Sequence, residues 1–232
     1  MAAKKDTIST VQLIFALLFP AFFPTVIIAL SGDLFWVEGW IWGIWFIALC
    51  VYITLYLYMH DPALLKERFQ KQGVTNQKPE QAYLIYLTFL LFLAWIVIMP
   101  IDAKKCSWTE FPIWLEVIGG IGLIPSFFFL FRAFSDNTFL SPLIRVQKER
   151  KQKVVSTGVY GFVRHPMYLG AVLLILATPL LLGSLFGLLL GVLLVVMIML
   201  RTLGEEQMLV NELDGYKEYK KKVKYRLFPY IW

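Results

Sequence analysis

Hydrophobic residues in this chain gather into long uninterrupted blocks instead of alternating with polar ones. A helix that crosses a bilayer core about 30 Å thick needs roughly 17–25 apolar residues. Four blocks meet that length: Val11–Leu30, Trp36–Met59, Ala82–Ile101 and Ile113–Phe131. A fifth, Met167–Leu200, runs for 34 residues without a charge. It is too long for one helix and just sufficient for two short ones. Pro179, Gly183 and Ser184 lie near its middle; proline removes a backbone donor and glycine permits a turn, so a tight hairpin is expected there. The pattern predicts an all-α integral membrane protein, a six-span helical bundle with a C-terminal tight helical hairpin.

Beyond the hairpin the period changes. Leu209, Leu213, Tyr216 and Val223 recur at helical spacing, with Glu205, Glu206, Glu212, Glu218 and several lysines around them. This predicts an amphipathic helix lying against the membrane. Its acidic residues lead and its basic residues follow, the order the helix dipole favours. The closing stretch Tyr225–Trp232 is rich in aromatic residues and reads as an interfacial anchor.

Composition supports the membrane reading. The chain is 59% hydrophobic and 16% charged, with a mean hydropathy of +0.67; soluble domains carry about 45–50% apolar and about 25% charged residues. A soluble globule, a disordered tail and a disulfide-stapled secreted domain are thereby excluded, and two cysteines make no framework. The net charge of +6 follows from topology. With six spans, 20 of the 22 Lys and Arg residues fall on one side. Lys104 and Lys105 fall on the other, which also holds Asp33 and Glu38. The positive-inside rule then places both termini in the cytoplasm, and no nucleic-acid partner is required. The first apolar run has 20 residues, longer than the roughly 7–15 of a signal-peptide core. It also turns directly into a second span, so it reads as a span and not as a cleaved leader.

Any chemistry is expected on the cytoplasmic side. There Arg132–Arg164 forms a connector of 33 residues, and 32 more follow Leu200; polar connections of that length are usually functional. Two clusters stand out. The first is Gly158-Val-Tyr160-Gly-Phe-Val-Arg164-His165-Pro166-Met167-Tyr168, at the entrance of the fifth span. The second is Arg201-Thr-Leu-Gly-Glu205-Glu206, at the exit of the sixth. Taken singly, each residue has a plain structural explanation. Arg164 suits an interfacial anchor, His165 a helix cap, Tyr168 the aromatic belt, and Arg201 with Glu205 an i,i+4 ion pair of about 0.2–0.5 kcal/mol. The hairpin changes the weighing, because it brings the start of span five beside the end of span six. Ionisable groups converging at the mouth of an apolar bundle are a functional-site hypothesis by default.

These motifs, followed by Asp214-Gly-Tyr-Lys-Glu-Tyr219 and Tyr225-Arg-Leu-Phe-Pro229, resemble the isoprenylcysteine carboxyl methyltransferase family and the related phospholipid methyltransferases. The resemblance covers roughly Phe134–Trp232; the first four spans carry no comparable signature. It implies a methyltransferase core over 132–232 behind four N-terminal transmembrane helices in 1–131, with S-adenosyl-L-methionine as methyl donor. It also implies that Gln152, Lys153, Val154, Val155 and Tyr160 line the cofactor. His165, Pro166, Met167 and Tyr168 match the family's Arg-His-Pro-x-Tyr cofactor motif. Glu205 matches its cofactor-binding glutamate, and Arg201 the arginine on the acceptor side. Arg201 and Glu205 are accordingly the candidate catalytic residues. At Gln152 the sequence departs from the eukaryotic members, which tend to have His.

The expected acceptor is lipophilic and membrane-associated: a prenylcysteine carboxylate, a phospholipid amine or a small thiol. The sequence does not separate the three. An alternative is an NADPH-dependent membrane oxidoreductase of the sterol-reductase type, whose C-terminal motifs look similar, although such chains are usually much longer. A channel or transporter would place charges within the spans, which are almost free of them. His60 and His165 are remote in sequence and neither has a partner for a metal site. Gly183, Gly187 and Gly191 form a small-residue stripe that suits close packing on a neighbouring span or a homodimer contact.

Overall fold

The computed structural model describes residues 8–69, 79–142 and 145–232, with no side chains given for 79–82. Lys4, Lys5, Lys71 and Lys78, which enter the charge count above, lie outside the described residues. The described residues are helical, in the order α1 (Thr10–Leu18), α2 (Phe22–Ser31), α3 (Val37–His60), α4 (Pro62–Glu67), α5 (Pro79–Pro100), α6 (Ile113–Asp136), α7 (Pro166–Leu182), α8 (Leu185–Glu212) and α9 (Tyr216–Lys222). A 3-10 turn, Phe19–Ala21, joins α1 to α2 in one continuous apolar segment of 22 residues. Among the described residues five segments are long and apolar enough to cross a membrane; α7, with 17 residues, is a shorter apolar helix.

The hairpin between α7 and α8 forms where expected, with a different division of labour among its residues. Gly183 adopts φ +75°, a left-handed conformation that costs glycine little. Ser184 caps α8 by accepting from the Gly187 amide. Pro179 does not break the chain; it lies inside the last turn of α7, where its missing donor sits close to a helix end that is already re-satisfied by the Ser184 amide bonding the Pro179 carbonyl. Asp102, fully buried in a π-helical turn Ile101–Lys105 after α5, locks this end of the bundle. Its carboxylate accepts from Ser184 Oγ (2.7 Å), the Phe186 amide (3.0 Å) and Thr109 Oγ1 (2.8 Å).

Two short-range packing devices hold the spans. Helices α6 and α7 approach closely because Gly119 lies against the backbone of Ala177–Leu181, where a Cβ would collide, and Ser126 Oγ donates to the Gly170 carbonyl at 2.8 Å. The small-residue stripe on α8 is likewise used within the chain. Gly187 sits against Met99 of α5 and Pro179, and Gly191 against Ile175 of α7 and Trp95 of α5. Between these helices lies an apolar core centred on Trp42, Trp95, Met99, Leu123, Leu182 and Leu194. The Trp42 indole donates to Thr178 Oγ1 at 2.9 Å, so its polar edge is satisfied inside the bundle.

The C-terminal region departs from the single amphipathic helix read from the sequence. Helix α8 continues through Glu212, carrying Arg201, Glu205 and Glu206 as part of the same 28-residue rod. The chain then turns at Leu213–Gly215, with Gly215 at φ +82°, into the seven-residue α9. Leu209, Leu213, Tyr216, Tyr219 and Val223 nevertheless bury together. A turn that keeps the apolar positions on one cluster leaves the periodicity intact, so the pattern does not reveal the break. The last eight residues are also more than an anchor. Leu227 is fully buried among Val163, Leu169 and Val172, while the Arg164 and His165 amides donate to the Tyr225 and Arg226 carbonyls. Pro229, Tyr230 and Ile231 at the tip stand exposed.

Candidate functional site

The polar ends of α4, α6, α7 and α8 meet at the end of the bundle opposite Asp102, and the described parts of the connector, 137–142 and 145–165, fold over them. The connector is held by its own amides. Buried Gln147 donates from Nε2 to the Phe139 carbonyl (2.7 Å) and accepts from Arg150 (2.8 Å). Gln152 uses its amide oxygen to accept from the Gln147 backbone at 2.7 Å. The far end of the connector is pinned to α6: Asp136 accepts from the Val159 amide (3.0 Å) and pairs with Arg132 (3.0 Å). Gly158, at φ +58°, passes so close to Asp136 that a Cβ would collide with its carboxylate.

Between connector, α7, α8 and α9 lies a pocket that is partly enclosed and open to solvent at its mouth. Gln152, Lys153, Val154, Val155 and Tyr160 line it. So do His165, Met167, Tyr168 and Glu205. Pro166 does not; it occupies the first turn of α7, where its missing amide is not needed. Arg201 stands just behind the wall and acts on it through Tyr168.

That arrangement is the centre of the site. The Tyr168 hydroxyl donates to Glu205 Oε2 at 2.5 Å and accepts from Arg201 Nε at 2.9 Å. The sequence suggested a direct i,i+4 pair of Arg201 with Glu205; the structure interposes a phenol from the neighbouring helix, which fixes the carboxylate across the hairpin. Arg201 also donates to the Pro142 carbonyl at 2.8 Å, tying α8 to the connector. His165 lies with its ring stacked on Tyr168, centroids 5.8 Å apart, and its Nδ1 4.0 Å from Glu205 Oε1. Burial pushes its pKa below the ordinary value against the opposing pull of Glu205 and Glu206, so the ring is neutral at pH 7. It makes no side-chain cap; its Nε2 is buried without a partner, and so is the hydroxyl of Tyr216 beside the same pocket.

Arg164 is not an interfacial anchor. Its side chain is buried and forms an ion pair with Glu206 at 2.6 Å, and it donates to the Val223 and Lys224 carbonyls at 2.7 Å each. Glu206, itself 3% exposed, is also reached by Arg226 at 2.6 Å and Lys220 at 3.8 Å. A positive charge buried beside an acidic residue and two carbonyls is a joint that fastens the C-terminal strap beneath the pocket. Tyr219 adds to the joint by donating to the Tyr160 carbonyl at 2.7 Å. Burial raises the pKa of Tyr160, Tyr216 and Tyr219, which keeps all three phenols protonated.

Among the contributors to this pocket that sequence reasoning missed are Tyr216, Arg145 and, behind Arg145, Glu67 of α4. Tyr216 stands in the sequence as an apolar repeat position and within the motif Asp214–Tyr219, with no site role assigned to it. Glu67 and Arg145 lie 78 residues apart, and no local pattern joins them.

Among the described residues, an all-helical bundle with long apolar helices, an apolar core and an ionisable, aromatic-lined pocket at its end is the architecture of a multi-pass membrane protein. Residues 117–214 match the family model for phospholipid methyltransferases. An 85-residue stretch is 34% identical to the protein-S-isoprenylcysteine O-methyltransferase of Schizosaccharomyces pombe (strain 972 / ATCC 24843), covering 36% of each chain. The match thus spans about a third of that relative's length. Among solved structures, the eukaryotic intramembrane Ras methyltransferase, an isoprenylcysteine carboxyl methyltransferase, aligns with 97% of this chain and 88% of its own. The identity is 18% and the TM-score 0.48. Over these stretches the chain is similar to phospholipid methyltransferases and to an isoprenylcysteine O-methyltransferase.

Proposed function

We propose that this protein transfers a methyl group from S-adenosyl-L-methionine to a lipophilic, membrane-associated acceptor, with residues 132–232 as the catalytic core. The observation that carries the proposal is the Arg201–Tyr168–Glu205 bridge at the wall of the pocket. The pocket residues fit such a cofactor. Glu205 offers a carboxylate, and the stacked rings of His165 and Tyr168 offer π faces, to a cationic donor. The unpartnered His165 Nε2 and Tyr216 hydroxyl offer polar groups to its remaining atoms. When bound, the cofactor supplies an electrophilic methyl carbon on a sulfonium sulfur. The chain's task is then positioning more than proton transfer. Tyr168 holds Glu205 in one orientation, neutral His165 packs beside it, and Arg201 orients the head of the acceptor from the α8 side.

An arginine there favours an anionic acceptor head. The name of the yeast relative, a protein-S-isoprenylcysteine O-methyltransferase, supports a prenylcysteine carboxylate. A phospholipid amine or a small thiol remains in the acceptor set, and an ammonium head would first have to lose a proton. The strong bias of Lys and Arg toward this end of the bundle supports a cytoplasmic pocket and cytoplasmic termini. The reductase alternative is not favoured, since the family model and the curated relative are both methyltransferases.

Calorimetric binding of S-adenosylhomocysteine to the detergent-purified full chain tests this reading. Micromolar binding that is lost in Glu205→Ala and in His165→Ala is the expected result. A monodisperse wild-type sample that ignores S-adenosylhomocysteine and binds NADPH instead overturns it. With the cofactor established, methyl transfer from labelled S-adenosylmethionine to a farnesylcysteine analogue, to phosphatidylethanolamine vesicles or to a hydrophobic thiol identifies the acceptor class.

A further inference from the structure

Glu67 ends α4, a six-residue helix that follows the second span and lies well outside the stretch matched by the family model. It is a carboxylate only 4% exposed, and a buried charge is costly unless it is paired and hydrogen-bonded. Its Oε1 accepts from Arg145 at 2.6 Å and from Ser141 Oγ at 3.2 Å. Both partners belong to the connector, and both line the pocket. Arg145 is held a second time by Glu149 at 2.5 Å. With its terminal nitrogens engaged by two carboxylates, its Nε–H is left buried and without a partner. An orphaned buried donor is destabilising, a cost that a ligand oxygen beside it would remove.

We propose that Glu67 is a positioning residue for the pocket: it fixes the Arg145 guanidinium so that the Nε–H meets an oxygen of the bound ligand, which makes the N-terminal half a working part of the site. The proposal rests on the cofactor reading above. Among the described residues no other carboxylate takes the place of Glu67. Glu149 sits on the connector itself beside Arg145, whereas Glu67 belongs to an element packed on α3 through Leu57, Leu64 and Leu65. Of the two, Glu67 references the guanidinium to the membrane bundle.

The test is S-adenosylhomocysteine affinity and melting temperature for the full-length wild type, Glu67→Ala, Glu67→Gln, Arg145→Gln and the double variant Glu67→Gln/Arg145→Gln. Glu67→Ala is expected to weaken binding about tenfold. Glu67→Gln, which retains an acceptor oxygen and the volume, recovers part of that loss. In the Arg145→Gln background the Glu67→Gln change has no further effect on affinity, because both act through one contact. In turnover assays the change falls on the KM for the methyl donor and not on kcat. A purely structural role would lower the melting temperature and leave affinity alone; affinity within twofold of wild type in Glu67→Gln and Arg145→Gln overturns the proposal, as does full additivity in the double variant. Should Glu67→Ala fail to fold, those two variants and their cycle still decide the matter. Failure of the wild type to bind S-adenosylhomocysteine sinks the cofactor reading instead, and is thereby distinguishable.

Discussion

Tyr168→Phe isolates the bridge at the centre of the site. The substitution removes one oxygen and leaves the ring, so packing against His165 and the α7 core is retained. Lost are the donation to Glu205 at 2.5 Å and the acceptance from Arg201 at 2.9 Å. Hydrogen bonds to charged groups contribute about 1.5–3 kcal/mol each, less when the freed groups find other partners. Here they partly do. Arg201 and Glu205 stand one helical turn apart, so their side chains can meet directly in a pair worth about 0.3–0.5 kcal/mol, and the Glu205 side chain is 27% exposed and so reaches water. The orientation of Glu205 is what the phenol supplies, and losing it should cost the cofactor about 1–2.5 kcal/mol of binding. At about 1.4 kcal/mol per decade this is roughly a 5- to 60-fold rise in Kd. Titration calorimetry with S-adenosylhomocysteine in detergent measures it, with the melting temperature of the free protein recorded alongside. A folded Tyr168→Phe protein that binds within twofold of wild type would refute the idea that this bridge organises the pocket.

Three other outcomes follow from the geometry. Glu206→Ala leaves Arg164 buried without its carboxylate and should cost about 3–5 kcal/mol of stability, seen as a clear fall in melting temperature; an unchanged melting temperature would mean that the strap is not fastened there. Because burial lowers the pKa of His165, the unfolded chain takes up a proton near pH 6.5 that the folded chain refuses. Stability from this group is complete above about pH 6.5 and is lost as pH falls through the folded pKa, so His165→Gln should flatten the melting-temperature profile in that window, and parallel profiles would exclude it. Asp102→Ala, at the opposite end, orphans Ser184 and the Phe186 amide at about 1–3 kcal/mol each; it should lower the melting temperature while leaving S-adenosylhomocysteine affinity unchanged, and a parallel loss of affinity would show that the two ends are coupled.

The spans were legible in the sequence because a bilayer imposes its thickness on any helix that crosses it, and block length reports that directly. The hairpin was legible at Gly183–Ser184, a left-handed residue followed by a capping hydroxyl. Pro179 misled, since in an apolar helix a proline near the C-terminus interrupts one bond without turning the chain. The tail misled in the opposite sense. An unbroken apolar repeat concealed the turn at Gly215, because the residues on both sides serve the same buried cluster.

The sequence by itself determined the membrane class, the helical blocks and the two clusters that the hairpin must bring together, all consequences of residue spacing and of short-range backbone chemistry. Only the tertiary structure decided which groups touch. It put the Tyr168 phenol between Arg201 and Glu205, sank Arg164 into a joint with Glu206 and the returning tail, and carried Glu67 across 78 residues to Arg145. Those choices rest on the packing of α6, α7 and α8 and on the need to satisfy each buried charge, which are properties of the folded arrangement and not of any stretch of chain.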